Sequence, residues 1–194
     1  MITEVIENSK SDDYNDEKMI AAFSTIQISQ FAYCSGSCSC GILYFRKEDE
    51  KMANVFDTAK YILEQSGSMS TMKLQKLCYY SQVWSLVWDD SPLFEENFQA
   101  WANGPVCPEL FFKTQGKYSA SARDETGGEG DLSDNQKDTI DKVLEHYGSH
   151  NAQWLSQLTH MEDPWIKARE GAPSGAGCDN VITKESMAVY YGGL

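Results

Sequence analysis

The sequence is short of positive charge: 16 Lys and Arg stand against 29 Asp and Glu, a formal net charge of −13. A chain this acidic repels phosphate, which argues against nucleic acid as partner. Long apolar runs are missing too, with no stretch near the ~18 residues a membrane span requires, so no membrane contact is expected. Met1 to Lys10, carrying Glu4 and Glu7, lacks the basic start and apolar middle of a secretory signal. A cytoplasmic protein is the expectation. There is no internal repeat. A phosphate cradle is also absent, because Gly127-Gly128-Glu129-Gly130 has no strand before it, no Gly-Lys-Ser/Thr after it and acidic neighbours.

Cysteine is present without a metal-site pattern. Of six cysteines, Cys34, Cys38 and Cys40 crowd together at C-x3-C and C-x-C spacing with no fourth local ligand, while Cys78, Cys107 and Cys178 are scattered. Zinc wants four ligands in paired motifs, so thiols, no metal and no cofactor are expected.

What the chain does have is enough apolar content, 41% of 194 residues, to bury a core without staples. The pattern changes at Met52. A charged run, Arg46-Lys47-Glu48-Asp49-Glu50-Lys51, gives way to Val55, Phe56, Ala59, Ile62 and Leu63 at helical spacing. Residues 1–51 therefore read as an N-terminal extension with at most a short helix over Glu17 to Tyr33, and residues 52–194 as the folded domain. A second helix, capped by Thr71, carries Leu74, Leu77, Cys78, Ser81, Trp84, Ser85 and Trp88 on one face and should be the central core helix. Two short strands fit around Phe94 to Trp101 and a turn at Asn103-Gly104-Pro105. Helices follow over Pro108 to Gln115, burying Leu110 and Phe111, and from a Ser133/Gln136 capping box through Ile140, Val143, Leu144 and Tyr147 to Gly148. Three more are read over Asn151 to Leu158 with Trp154, Leu155 and Leu158 inward, over Trp165 to Glu170 behind Asp163-Pro164, and after Thr183 with Met187. Ser119 to Gly130 and Gly171 to Asn180 read as surface loops. Seven short helices with a small extended region make a mostly α, compact multi-helix domain with a minor β element.

Candidate chemistry is sparse. Cys107, His160 and Asp163 are the residue types of a nucleophilic triad, but no nucleophile signature surrounds Cys107. His146 and His150 have the spacing of two metal ligands on one helical face, yet Gly148 lies between them. Leu158-Thr159-His160-Met161-Glu162-Asp163-Pro164-Trp165 joins two helices with a dense set of hydrogen-bonding groups. An imidazole there can fix a corner through a carboxylate or a helix-terminal carbonyl, or serve partner contact or catalysis.

Three blocks taken together, Met72-Lys73-Leu74-Gln75-Lys76-Leu77-Cys78-Tyr79-Tyr80-Ser81-Gln82, Phe98-Gln99-Ala100-Trp101-Ala102-Asn103-Gly104-Pro105-Val106 and Leu158 to Trp165, resemble the signature of the Panacea domain. This is the SocA-like antitoxin family, which includes phage-associated GepA-like proteins, and the resemblance spans residues 53 to 194. Two positions depart from it: Asn103 stands where the family usually has an aromatic, and Met161 where it has a glutamine. The resemblance implies an antitoxin, not an enzyme, that neutralises a genetically adjacent toxin by direct binding, either blocking it or acting as an adaptor to a cytoplasmic AAA+ protease. Trp101, Asn103, Gly104, Pro105, His160, Glu162, Asp163 and Trp165 are the candidate partner-binding residues. The loops Ser119 to Gly130 and Gly171 to Asn180 are a second candidate surface, with Leu74, Leu77, Trp84, Trp101 and Trp165 as core. An alternative reading is an enzyme acting on the toxin or its product through His160 with Glu162 or Asp163 as acid and base.

Overall fold

The computed structural model describes residues 53–123, 131–173 and 175–194. The expected helix over Glu17 to Tyr33, the Cys34–Cys40 cluster and Gly127–Gly130 lie outside the described residues.

Helix α1, Val55–Ser66, opens on a capping box in which Asn54 accepts from the Asp57 backbone and Asp57 returns the bond to the Asn54 N–H. It buries Val55, Ala59, Ile62 and Leu63, while Phe56 is only half-buried. Strand β1, Met69–Ser70, leads into α2, Thr71–Trp88. The cap of α2 is Ser70, whose hydroxyl accepts from the Lys73 N–H; Thr71 is the first helical residue instead of the cap. Every residue of α2 from Leu74 to Ser85 is buried, on all sides and not on one face. A helix without a solvated face must find partners for its polar residues inside the protein. Gln82 does so by clasping the connection that follows, accepting from Leu93 and Phe94 N–H and donating to the Phe94 carbonyl at 3.0 Å.

Strands β2, Phe98–Trp101, and β3, Gly104–Val106, pair antiparallel with Trp101 opposite Gly104. The turn is therefore Ala102–Asn103, and Gly104 and Pro105 belong to the strand, not to the turn. Gly104 takes φ +95°, which lets a two-residue turn rejoin the strand. Helix α3, Pro108–Thr114, buries Leu110 and leaves Phe111 half-buried. Strand β4, Ser119–Ala120, pairs with β1, so the start of the expected 119–130 loop is sheet.

Helix α4, Asp134–Tyr147, carries the Ser133/Gln136 capping box; Thr139 is buried on it and Leu144 only half-buried. Then come α5, Ala152–Thr159, capped by Asn151, and α6, Asp163–Arg169, whose N-cap position is Glu162 instead of Asp163. Strand β5, Val181–Ile182, adds to the other edge of β2, and α7, Lys184–Tyr191, is capped by Thr183. The described residues thus hold seven helices and two small sheets, ordered β1-β4 and β3-β2-β5. Helices α1, α4, α5 and α7 all pack on α2, which is the centre of a mostly α fold. Leu74, Leu77 and Trp84 are core residues, but Trp101 and Trp165 are half-buried.

Candidate functional site

The second and third sequence blocks meet at the β2–β3 hairpin, and what joins them is a row of side chains donating to its backbone. Arg169 Nη1 donates to the Ala100 carbonyl at 2.7 Å, Trp165 Nε1 to Trp101 at 3.0 Å, and Ser156 Oγ to Asn103 at 2.8 Å. His160 donates to the Ala102 carbonyl, and Lys76 Nζ to Pro105 at 2.8 Å. Gln75 closes the row: it accepts from the Cys107 N–H at 2.9 Å and donates to its carbonyl at 3.2 Å. Buried carbonyls need such partners. Here six side chains from α2, α5, α6 and the α5–α6 corner supply them, five to the hairpin and Gln75 to Cys107 just after it.

Trp165 is held as well as holding. The His160 ring stacks on it at 4.2 Å between centroids, and the Arg169 guanidinium lies 5.0 Å from its ring on the cation–π side. Burial, then the charges of Lys76 and Arg169, keeps the His160 imidazole below its ordinary range. Its Nε2 is buried with no hydrogen-bond partner among the described residues. Lys76 is itself buried, and burial pulls its ammonium down to about 7. Gly104 makes this possible, since a Cβ there would stand 2.6 Å from Thr159 Oγ1 and 2.7 Å from Lys76 Nζ.

Glu162 lies behind the corner in a tyrosine nest. Tyr191 donates to it at 2.6 Å and Tyr80 at 3.2 Å, while Tyr80 stacks on Tyr147 at 4.3 Å. Burial raises its carboxyl to about 7 despite the two hydroxyls, which pull the other way. Asp163 is half-buried and pairs with Lys167 at 2.8 Å one helical turn on. Cys107 donates its thiol to Glu109 at 3.2 Å, and burial pushes it up to about 12, far from the thiolate a nucleophile needs. Among the described residues no cluster of three His, Cys, Asp or Glu could hold a metal, and no helix is long and apolar enough to cross a membrane.

Of the eight candidate residues, Trp101, Asn103, Gly104, Pro105, His160 and Trp165 therefore meet at one hairpin, whereas Glu162 and Asp163 stand apart from its carbonyls. Gly104, Pro105 and Glu162 are buried; Asn103 is exposed. Sequence reasoning missed Gln75, Lys76, Ser156 and Arg169. The signal available was a Gln-Lys pair between Leu74 and Leu77 in a helix expected at the centre of the core, where polar side chains must be bonded to something.

The same hairpin borders a cavity of about 720 Å³ whose lining also includes Gln75 and Lys76. Trp101, Val106, Phe111 and Met72 give it apolar walls, with Asn103 and the 175–179 segment at its edge. Trp101 is fixed there by its Nε1 bond to Gln99 Oε1 at 2.8 Å and by an edge-on contact with Phe111 at 4.7 Å.

In comparison with known families, residues 74–166 match the family described as antitoxin SocA-like, Panacea domain, which supports the general role of an antitoxin. The match runs from α2 into α6 and leaves α1, β1, β5 and α7 outside it. No curated protein and no solved structure matches the chain.

Proposed function

We propose that this protein neutralises a toxin encoded beside it by binding that toxin directly, with no chemical step of its own. The observation that carries the reading is the Panacea match over residues that converge on a braced hairpin. An immobilised hairpin loses little freedom when a partner seats against it, which favours affinity. The formal charge of −13 speeds encounter with a basic toxin and disfavours nucleic acid. His160 supports recognition over catalysis, since its ring is engaged with Ala102 and Trp165, although the buried unpaired Nε2 is what an enzyme reading would build on. Delivery of the bound toxin to a AAA+ protease is a further step the same contact would serve.

Expressing the neighbouring gene in a heterologous host with and without this one tests the reading. Growth arrest relieved by co-expression, with the two proteins co-purifying, is the expected result; absence of arrest, or arrest this protein leaves untouched, overturns it. A toxin whose level falls only when the host protease is present marks the adaptor route. His160→Gln separates the enzyme alternative, because a folded variant that still binds but no longer neutralises would favour catalysis.

A further inference from the structure

The antitoxin reading leaves open where on this domain a toxin would be held, and the buried side of the hairpin cannot be the place. Its six braces are used up on backbone carbonyls, so a partner would have to break them to enter. The cavity beside Trp101 is open instead, although Gln75 and Lys76 reach its lining too. The 720 Å³ cavity there is walled by Trp101, Phe111, Val106 and Met72, and the hairpin that forms one wall is held from behind. A second cavity, about 610 Å³, lies against the other side of Met72 and is bounded by Tyr118, which is 87% exposed. Two cavities meeting at one side chain make a surface longer than a small ligand fills, which is the form a polypeptide segment fits.

We propose that the cavity beside Trp101 seats one large apolar side chain of a toxin segment whose flanking residues are basic. The proposal rests on the antitoxin reading and adds the contact. An aromatic or long aliphatic anchor in a preformed apolar pocket is the usual source of interface affinity. Basic flanks follow from charge, since the chain carries −13 and Asp179 is the exposed charge on the cavity wall, the Lys76 that also lines it being buried on the Pro105 carbonyl. The family match covers the walls from Gln75 to Thr114, whereas Thr71, Met72, Gly175, Gly177, Cys178 and Asp179 fall outside it.

The test uses the full-length protein and the purified product of the neighbouring gene, with binding measured by calorimetry and folding by thermal melts. Asn103→Trp fills the mouth from an exposed turn position and Met72→Arg places charge between the two cavities; each should weaken binding about tenfold or more with little change in melting temperature. Asp179→Lys should weaken binding a few-fold and flatten its salt dependence. Val189→Arg, at a site 79% exposed on α7 and not lining the cavity, should bind as the parent does. Normal binding by folded Asn103→Trp and Met72→Arg variants, or loss of binding in Val189→Arg alone, overturns the cavity assignment while leaving the antitoxin reading intact. Failure of the unmodified protein to bind overturns the antitoxin reading, and this contact with it.

Discussion

On its inner face the β2–β3 hairpin meets Lys76, Ser156, His160, Trp165 and Arg169, every one a donor to its backbone, and Gln75 bonds the backbone of Cys107 just beyond it. Beside Trp101 the same hairpin borders a cavity with Met72, Val106 and Phe111 on its walls, where Thr71, Gln75, Lys76, Gln99 and Thr114 also reach the lining with hydrogen bonds already made inside the protein. The contrast separates two jobs that a single motif would otherwise blur. Four of the braces, Gln75, Lys76, Ser156 and Arg169, are not singled out by the sequence, yet they hold the hairpin in place; the proposed partner surface is the cavity beside Trp101. The bracing is dense and polar, whereas the proposed recognition surface is open and has apolar walls.

Gly104 gives the largest expected break in that contrast. Gly104→Ala meets both an unfavourable φ of +95° and a collision with Thr159 Oγ1 and Lys76 Nζ. It should cost about 3 kcal/mol of unfolding free energy. Gly116→Ala has the same sign of φ, +82°, with nothing within 4 Å, so only the backbone cost of about 1 kcal/mol applies. Denaturant melts of the two variants isolate the packing behind the hairpin, and equal losses would show that the inner face is not tightly filled.

The next effect is a pH profile. Glu162 has its carboxyl raised from 4.5 to about 7, so the native state holds that proton more tightly than the unfolded chain. Its contribution is full below 4.5 and is lost as pH rises through about 7. Lys76 is lowered from 10.5 to about 7, so its contribution is full above 10.5 and is lost as pH falls through about 7. Together the two leave the domain least favoured near neutrality, by something on the order of 2 kcal/mol on either side. Unfolding free energy measured from pH 5 to 9 should lose its acid-side fall in Glu162→Gln and its alkaline-side rise in Lys76→Met. Profiles parallel to the parent's would mean that neither group titrates where its burial puts it.

Much of this architecture is legible before any coordinates. The Ser133/Gln136 box, the Asn151 and Thr183 starts and the Gly148 stop all lie where local chemistry puts them, because caps are made within four residues. Distance along the chain is what hides the rest. Glu162 takes the N-cap position expected of Asp163 yet makes no cap bond, since its carboxylate is held by Tyr80 and Tyr191. Trp101 and Trp165 stay half-buried because each indole N–H reaches for an acceptor, Gln99 for one and the Trp101 carbonyl for the other. Strands β1, β4 and β5 have two residues apiece, too few to show a period. The braces from Gln75 and Lys76 cross about thirty residues to reach Cys107 and Pro105, and a helical wheel carries no trace of such a partner.

Asn103 lets the contrast be tested within one residue, at the smallest expected effect. Its carbonyl faces inward and accepts from Ser156 Oγ at 2.8 Å, while the residue is exposed and lines the outer cavity. Ser156→Ala removes the inward bond and leaves a carbonyl to find water or go unpaired, a loss of about 1 kcal/mol. Asn103→Ala trims only the outward side chain at a turn position, and its cost should stay within about 0.5 kcal/mol. Binding should move the opposite way, with Asn103→Ala changing affinity for the neighbouring gene's product more than Ser156→Ala does. Melts and titrations on the same two proteins decide the matter. If Ser156→Ala is the milder change in stability and the harsher one in binding, the hairpin's inner row takes part in recognition, and the division of labour between its faces fails at the residue where they meet.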